Sequence, residues 1–286
     1  MKRSLTTAES GTPVDPNERM PLLRAVGRAV VRMLPRNEIL FRVARKIVDR
    51  HNADNDFDMR TNGELWLSKM MLPDSSIVFD VGANQGEWTS VANAINPRAR
   101  IHCFEPSAGT FRMLERNVSL PNVVLNEFAL GEREEESTLW LYAEGAGSNA
   151  LYHRVGTIGE QQSTERVRVR RLDDYCIEGA IDTIDFLKID VEGHELSVFR
   201  GAERMFRESR IRAVQFEYND TYIDARTQLK DIWQFISDLT GDYAFYKIYP
   251  RELRHIPRYS QRYETFRYSN WAILRRDVAD SRGLSS

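Results

Sequence analysis

A doubly wound α/β fold on a mostly parallel sheet follows from three observations in this chain. Apolar runs of strand length alternate with helix-patterned stretches through residues 77–239, the signature of strand–helix–strand units with right-handed crossovers. The first and fourth runs are nearly uninterrupted, as strands covered on both faces are. Four strand runs end in a carboxylate, at Asp80, Glu105, Asp190 and Glu217, and open α/β sheets bind ligands beyond the carboxyl ends of their strands.

The bulk properties fit this class. The 286 residues suffice for one large or two small domains. A net charge of −2 implies no global attraction to nucleic acid or anionic membranes. No apolar run approaches the roughly 18 residues that span a bilayer, and MKRSLTTAESGTPVDPNE lacks the apolar core of a secretion signal, so a cytoplasmic location is expected. Cys103 and Cys176 both adjoin apolar residues and read as buried reduced thiols, and no Cys/His cluster has zinc-site spacing.

Residues 1–18 carry no apolar periodicity and read as disordered. A helical extension is expected over residues 19–60. Leu22, Val26, Val30 and Met33 share one helical face, with Arg24, Arg28 and Arg32 along another, until Pro35 breaks the run. Ile39, Leu40, Val43, Ala44, Ile47 and Val48 make a second stripe, flanked by Arg42, Arg45 and Lys46. The two stripes either cap the main domain or lie as basic amphipathic helices on a membrane surface. Residues 52–58 read as a polar linker and residues 62–71 as a helix ending before Pro73. The main domain is expected over residues 61–276, with a polar, frayed tail from Asp277.

The organising stretch is IVFDVGANQGEW, residues 77–88. An apolar strand ends near Asp80, and Gly82 and Gly86 then permit a tight turn and close backbone approach to a ligand. A dinucleotide site would prefer G-x-G-x-x-G. The spacing here is G-x-x-x-G behind an acid, which suits a cofactor carrying an ammonium group better than one carrying phosphates: S-adenosylmethionine over NAD. After a helix from residue 87, RIHCFE (residues 100–105) is a second strand. Its Glu105 lies 23 residues beyond Gly82, near the spacing at which nucleotide-binding sheets place a carboxylate on the ribose hydroxyls.

A helix over residues 111–118 leads to a third strand over 122–130. Residues 138–142 and 166–171 alternate as an antiparallel excursion, and the loop between them, 143–165, reads as a lid over the substrate or as a disordered insert. IDFLKID (184–190) and IRAVQFE (211–217) are further strands. The helices expected next cover 196–206 and 232–239, and final strands cover 243–249 and 270–275. Residues 249–268 interleave tyrosines with Arg251, Arg254, Arg258, Arg262 and Arg267. This is a solvated loop, an acceptor-binding surface suited to an anionic glycolipid, or a nucleic-acid surface.

Three runs together, VFDVGANQGEW, CFEPSAGTF and DFLKIDVEGHELSVFRGA, with RLDDYC ahead of the third, resemble the FkbM-type family of class I S-adenosylmethionine-dependent methyltransferases. The resemblance spans residues 63–274 and leaves the N-terminal helices uncovered. It implies a Rossmann-like, seven-stranded sheet of order 3-2-1-4-5-7-6 with the last two strands as an antiparallel edge. It also implies S-adenosyl-L-methionine as cofactor and a hydroxyl of a saccharide, glycolipid or secondary metabolite as acceptor, with no nucleic-acid partner. Carried over by position, Asp80, Gly82, Asn84 and Gly86, with Ala83 among them, would surround the methionine end of the cofactor. Glu105 would hold the ribose, and Asp190, Glu192 and His194 would face the transferred methyl.

A hydroxyl acceptor must lose its proton during or soon after attack, which makes His194 the natural base. Asp190 would orient it, take the proton itself or contact the ammonium, and Glu192 could do the same. His194 could instead be an exposed helix-start residue and Glu192 a helix-capping carboxylate, and the acids could bind a divalent metal. A cofactor-binding but catalytically silent interaction protein on the same fold is the alternative function.

Overall fold

In the computed structural model, which describes residues 37–142, 149–154 and 163–284, the run IVFDV becomes β1 (Ile77–Val81). It pairs in parallel with β2 (Arg100–Phe104) on one side and β7 (Phe186–Ile189) on the other. Val78 to Val81 are all buried, as a strand covered on both faces requires. Val78 joins one apolar layer with Trp88, Ile101 and Phe186, while Phe79 joins the opposite layer with Phe104, Phe199 and Phe216. Successive side chains of a strand point to opposite faces, so one five-residue run serves both cores.

The sheet continues in parallel to β3 (Val123–Asn126) beyond β2 and to β8 (Ala213–Tyr218) beyond β7. β11 (Ser269–Arg275) runs antiparallel between β8 and β9 (Tyr243–Tyr249). The order implied by the resemblance is therefore present, with one addition: β10 (Glu252–Ile256) pairs antiparallel with β9 as an eighth, edge strand. It comes from the arginine–tyrosine stretch. Arg254 stacks over the Tyr249 ring at 4.0 Å and pairs with Glu252 at 3.0 Å; charged side chains on an edge strand also discourage pairing with another chain.

The expected third strand is divided. β3 stays in the main sheet, whereas β4 (Ala129–Leu130) enters a second sheet with β5 (Glu135–Leu141) and β6 (Ser163–Arg170), ordered β4-β6-β5. The break lets Phe128 pack on Phe104 and Tyr175. β5 and β6 form the expected antiparallel excursion.

Helices cover the main sheet: α2 (Glu64–Met71), α3 (Glu87–Ile95), α4 (Ala108–Asn117), α5 (Leu172–Glu178), α6 (Glu195–Gly201), α7 (Glu203–Arg207), α8 (Thr221–Asp224) and α9 (Leu229–Leu239). One helix expected over residues 196–206 is interrupted at Ala202, which separates α6 from α7. The tail expected to fray from Asp277 is instead α10 (Arg276–Ser281), anchored by buried Val278 and Ala279. Arg282 then reaches Asp74 at 2.8 Å.

The chain divides into two units, Met1–Val48 and Asp49–Ser286. Of the N-terminal helices, the one expected over residues 22–33 lies outside the described residues. The other is α1 (Glu38–Asn52), none of whose residues is buried. The stretch expected to be a linker, residues 52–58, belongs to the larger unit: Asp54 is buried on Lys247, and the Asn55 N–H donates to the Tyr268 carbonyl at 2.8 Å. A carboxylate with a buried ammonium partner holds a segment that composition alone marks as loose.

Candidate active site

The turn after β1 sets the site. The Gly82 and Ala83 N–H groups both donate to the Phe104 carbonyl, at 2.9 and 3.0 Å, tying the turn to the end of β2. Gly82 has φ +83°, Asn84 +48° and Gly86 +85°, left-handed values that glycine adopts without strain and asparagine tolerates. A Cβ on Gly86 would stand 2.3 Å from Val118 Cγ2, so its place in the motif is one of close packing at the start of α3.

A cleft of about 700 Å³ opens over this turn, walled by Gly82, Asn84, Glu105, Asp190, Glu192 and His194, with Leu139 and Leu151 among its apolar residues. Glu105 follows β2, and its two oxygens accept from the Asn84 N–H at 3.1 Å and the Ser107 N–H at 3.0 Å. Burial pushes its carboxyl up to about 7, against the lowering effect of those two N–H groups. Asn84 Oδ1 is buried with no partner among the described residues, an acceptor available to a bound ligand.

Three residues expected at the cofactor do not line the cleft. Asp80 is fully enclosed: its carboxylate accepts from Thr89 Oγ1 at 2.6 Å and faces Lys188 Nζ at 3.8 Å. It precedes Val81, the last residue of β1, so its side chain belongs to the sheet interior below the cleft. Ala83 is buried in the core layer of Val78, and Gly86 is buried against α4 and Val118. These residues shape the turn rather than wall it.

Across the cleft the structure brings together Asp190, Glu192 and Glu217, which can each offer an oxygen within 4.8 Å of the others. Such a trio suits a hard divalent cation, yet two members already have cationic partners. Lys188 Nζ lies 2.9 Å from Asp190, and Arg154 lies 3.4 Å from Glu192 and 3.2 Å from Asp220. Burial alone would lower the Lys188 pKa, but Asp190, Asp80 and Glu64 around it hold it above the ordinary lysine value. Burial and the neighbouring Asp190 charge raise Glu192, opposed by Arg154. Burial, Asp190 and Glu192 raise Glu217 far above the ordinary range. Like charges this close cannot all ionise at neutral pH. Glu192 also has φ +53°, a strained setting for a glutamate.

His194 is the N-cap residue of α6. Its Nδ1 lies 3.1 Å from the Tyr152 hydroxyl, and its Nε2 is buried without a hydrogen-bond partner among the described residues. Nε2 is turned toward Gly131, where an added Cβ would meet it at 2.8 Å. Burial lowers the ring to about 4, so it is neutral at physiological pH. One nitrogen is engaged by Tyr152 and the other is buried without a partner, in a ring that lines the cleft.

Of the lid expected over residues 143–165, residues 149–154 are described and 163–165 begin β6, while the remainder lies outside the described residues; Asn149 and Leu151 line the cleft. Tyr152 and Arg154 come from this segment and were not among the residues singled out from sequence, since a loop has no periodicity to mark them. Lys188 did carry a signal, as the lone cation in the apolar run DFLKI. Both cysteines are buried, and burial raises both thiols, Cys176 to about 12.

A family model described as the Methyltransferase FkbM domain matches residues 80–243, more than half of the chain. Methyltransferase 1 of Beauveria bassiana (strain ARSEF 2860) is 30% identical over 149 residues, 46% of this chain and 60% of that protein. The 2-O-methyltransferase NoeI of Sinorhizobium fredii (strain NBRC 101917 / NGR234) is 26% identical over 157 residues, 50% of this chain and 63% of that protein. The chain thus spans about three fifths of the length of these relatives. A solved structure of methyltransferase FkbM from Methylobacillus flagellatus KT aligns with a TM-score of 0.45 and 18% identity, over 71% of this chain and 44% of that one.

Proposed function

Because the chain belongs to the FkbM methyltransferase family, we propose that it transfers the methyl group of S-adenosyl-L-methionine to a hydroxyl of a saccharide, glycolipid or secondary metabolite. One observation carries the reading: a single cleft joins Glu105 and the unpartnered Asn84 Oδ1 to the acids Asp190 and Glu192. The relative named 2-O-methyltransferase supports an oxygen acceptor.

The residues present suit the cofactor. An ionised Glu105 would accept both ribose hydroxyl protons, and Asn84 Oδ1 would accept from the ammonium group. When bound, the cofactor supplies a methyl group activated by its sulfonium.

The chain's own task is to align the acceptor oxygen and to receive its proton. Glu192 takes the proton in this reading. It walls the cleft, burial and Asp190 raise its carboxyl to about 8, and Arg154 opposes that rise and favours the ionised form that accepts a proton. Asp190, fixed by Lys188, supplies a polar contact for the acceptor. Leu139 and Leu151 exclude water from that side. His194, held by Tyr152, positions the start of α6.

Calorimetric titration with S-adenosylmethionine and, separately, NAD tests the cofactor. Release of S-adenosylhomocysteine over a panel of glycans and polyols then tests the activity. Binding of the first alone, followed by turnover, is expected. Binding without turnover on any hydroxyl acceptor would favour a silent cofactor-binding protein, and binding of neither would remove the reading.

A further inference from the structure

α1 has fifteen residues and buries none of them. Ile39 is 74% exposed, Ile47 63% and Phe41 59%, and Val43, Val48 and Leu40 are exposed as well. Exposed apolar side chains scattered singly are ordinary, but contiguous patches mark interaction surfaces. Here six large ones fall within residues 39–48.

Their arrangement is ordered. At about 100° per residue, Ile39, Val43, Ile47, Leu40, Ala44, Val48 and Phe41 follow one another around an arc of roughly 200°. Arg45, Arg42 and Lys46 occupy the remaining arc, and Arg50, two residues before the end of the helix, falls within the apolar arc between Ile39 and Val43. Of the two acids, Glu38 is paired with Arg42 at 2.9 Å and Asp49 with Arg267 at 2.6 Å. The exposed cations therefore outweigh the acids on this helix.

We propose that α1 docks on the surface of an anionic phospholipid bilayer, its apolar arc sunk among the acyl chains and its cations at the level of the phosphates. An apolar face flanked by Arg and Lys whose stems can reach headgroups is what an interfacial helix presents. A second copy meeting the same face would bring like-charged flanks together, which opposes self-association. Residues 22–33 repeat the pattern in sequence, with Arg24, Arg28 and Arg32 beside Leu22, Val26 and Val30. No helix among the described residues is long and apolar enough to cross a membrane, and this mode of attachment requires none.

The test is co-sedimentation of the full chain with vesicles of phosphatidylcholine alone and of equimolar phosphatidylcholine and phosphatidylglycerol. The wild type is expected to pellet with the anionic vesicles, weakly with the neutral ones, and less as salt is raised. Ile39→Asp/Ile47→Asp and Arg42→Glu/Lys46→Glu should each lower the bound fraction about tenfold, with helicity and thermal midpoint unchanged. Absence of binding to anionic vesicles, or binding that both variants retain, overturns the proposal. So does a wild-type dimer, seen by light scattering without vesicle binding, that both variants dissolve.

Discussion

A side chain on Gly82 would begin inside the backbone of Asp190: a Cβ built there stands 1.8 Å from the Asp190 carbonyl oxygen. The turn after β1 and the end of β7 thus meet in direct contact, and the cofactor wall of the cleft is set against its acid wall. Gly82→Ala must push these strand ends apart and adopt a left-handed φ of +83°. The combined conformational and overpacking cost is about 2–5 kcal/mol. Urea unfolding should show the loss, and calorimetry should show weakened S-adenosylmethionine binding. Wild-type stability in this variant would mean that the two walls are not coupled.

The pH dependence of cofactor binding follows from Glu105. Burial raises its carboxyl to about 7, and only the ionised form accepts both ribose protons. Affinity for S-adenosylmethionine should therefore fall as pH drops below about 7, approaching tenfold per pH unit. Glu105→Gln should bind more weakly at pH 8 and lose this dependence. A dependence that survives in the variant would transfer it to another group.

Glu192→Gln separates the candidate proton acceptors. If Glu192 takes the hydroxyl proton, turnover should fall by about 10²–10⁴ while cofactor affinity changes little. His194→Asn, which removes the imidazole but can still cap a helix, should cost far less. The reverse ranking of the two turnover numbers would restore the base role to His194.

Lys188 stabilises the buried acids beneath the cleft. Its ammonium is 2.9 Å from Asp190 and 3.8 Å from enclosed Asp80, so Lys188→Met leaves carboxylates without compensation, at about 3–5 kcal/mol. Burial already raises Asp80 and Glu64 in the folded chain, with Lys188 opposing it. A carboxyl raised on folding contributes stability present below its unfolded pKa, about 4, and lost as pH rises through the folded value. The variant should therefore be hurt more at pH 8 than at pH 5 in urea melts. Equal losses at both pH values would contradict this.

The carboxylate trio distinguishes a base from a metal. With Lys188 and Arg154 beside Asp190 and Glu192, turnover should be unchanged by EDTA and by added Mg²⁺. Loss with EDTA and recovery with Mg²⁺ would assign Asp190, Glu192 and Glu217 to a cation.

The sequence by itself determined what depends on local pattern. Uninterrupted apolar runs identified the central strands, because a strand buried on both faces admits few polar residues. Gly82 and Gly86 announced the turn, because few other residues adopt its backbone. Glu105, Asp190 and Glu217 were legible as a group because the carboxyl ends of parallel strands share one edge. Only the tertiary structure decided what each side chain meets. Asp80 reads like the other strand-end acids, yet one residue of register encloses it on Thr89 and Lys188. Glu192 owes its partner to Arg154, 38 residues away along the chain in a loop without periodicity. His194 likewise meets Tyr152, which comes from the same segment as Arg154. The eighth strand exists because β9 offered an edge, and the stripe on α1 is exposed although its pattern is the same as that of a packed helix. Periodicity tells which face of an element is apolar; which surface covers that face is set by contacts between segments distant in sequence.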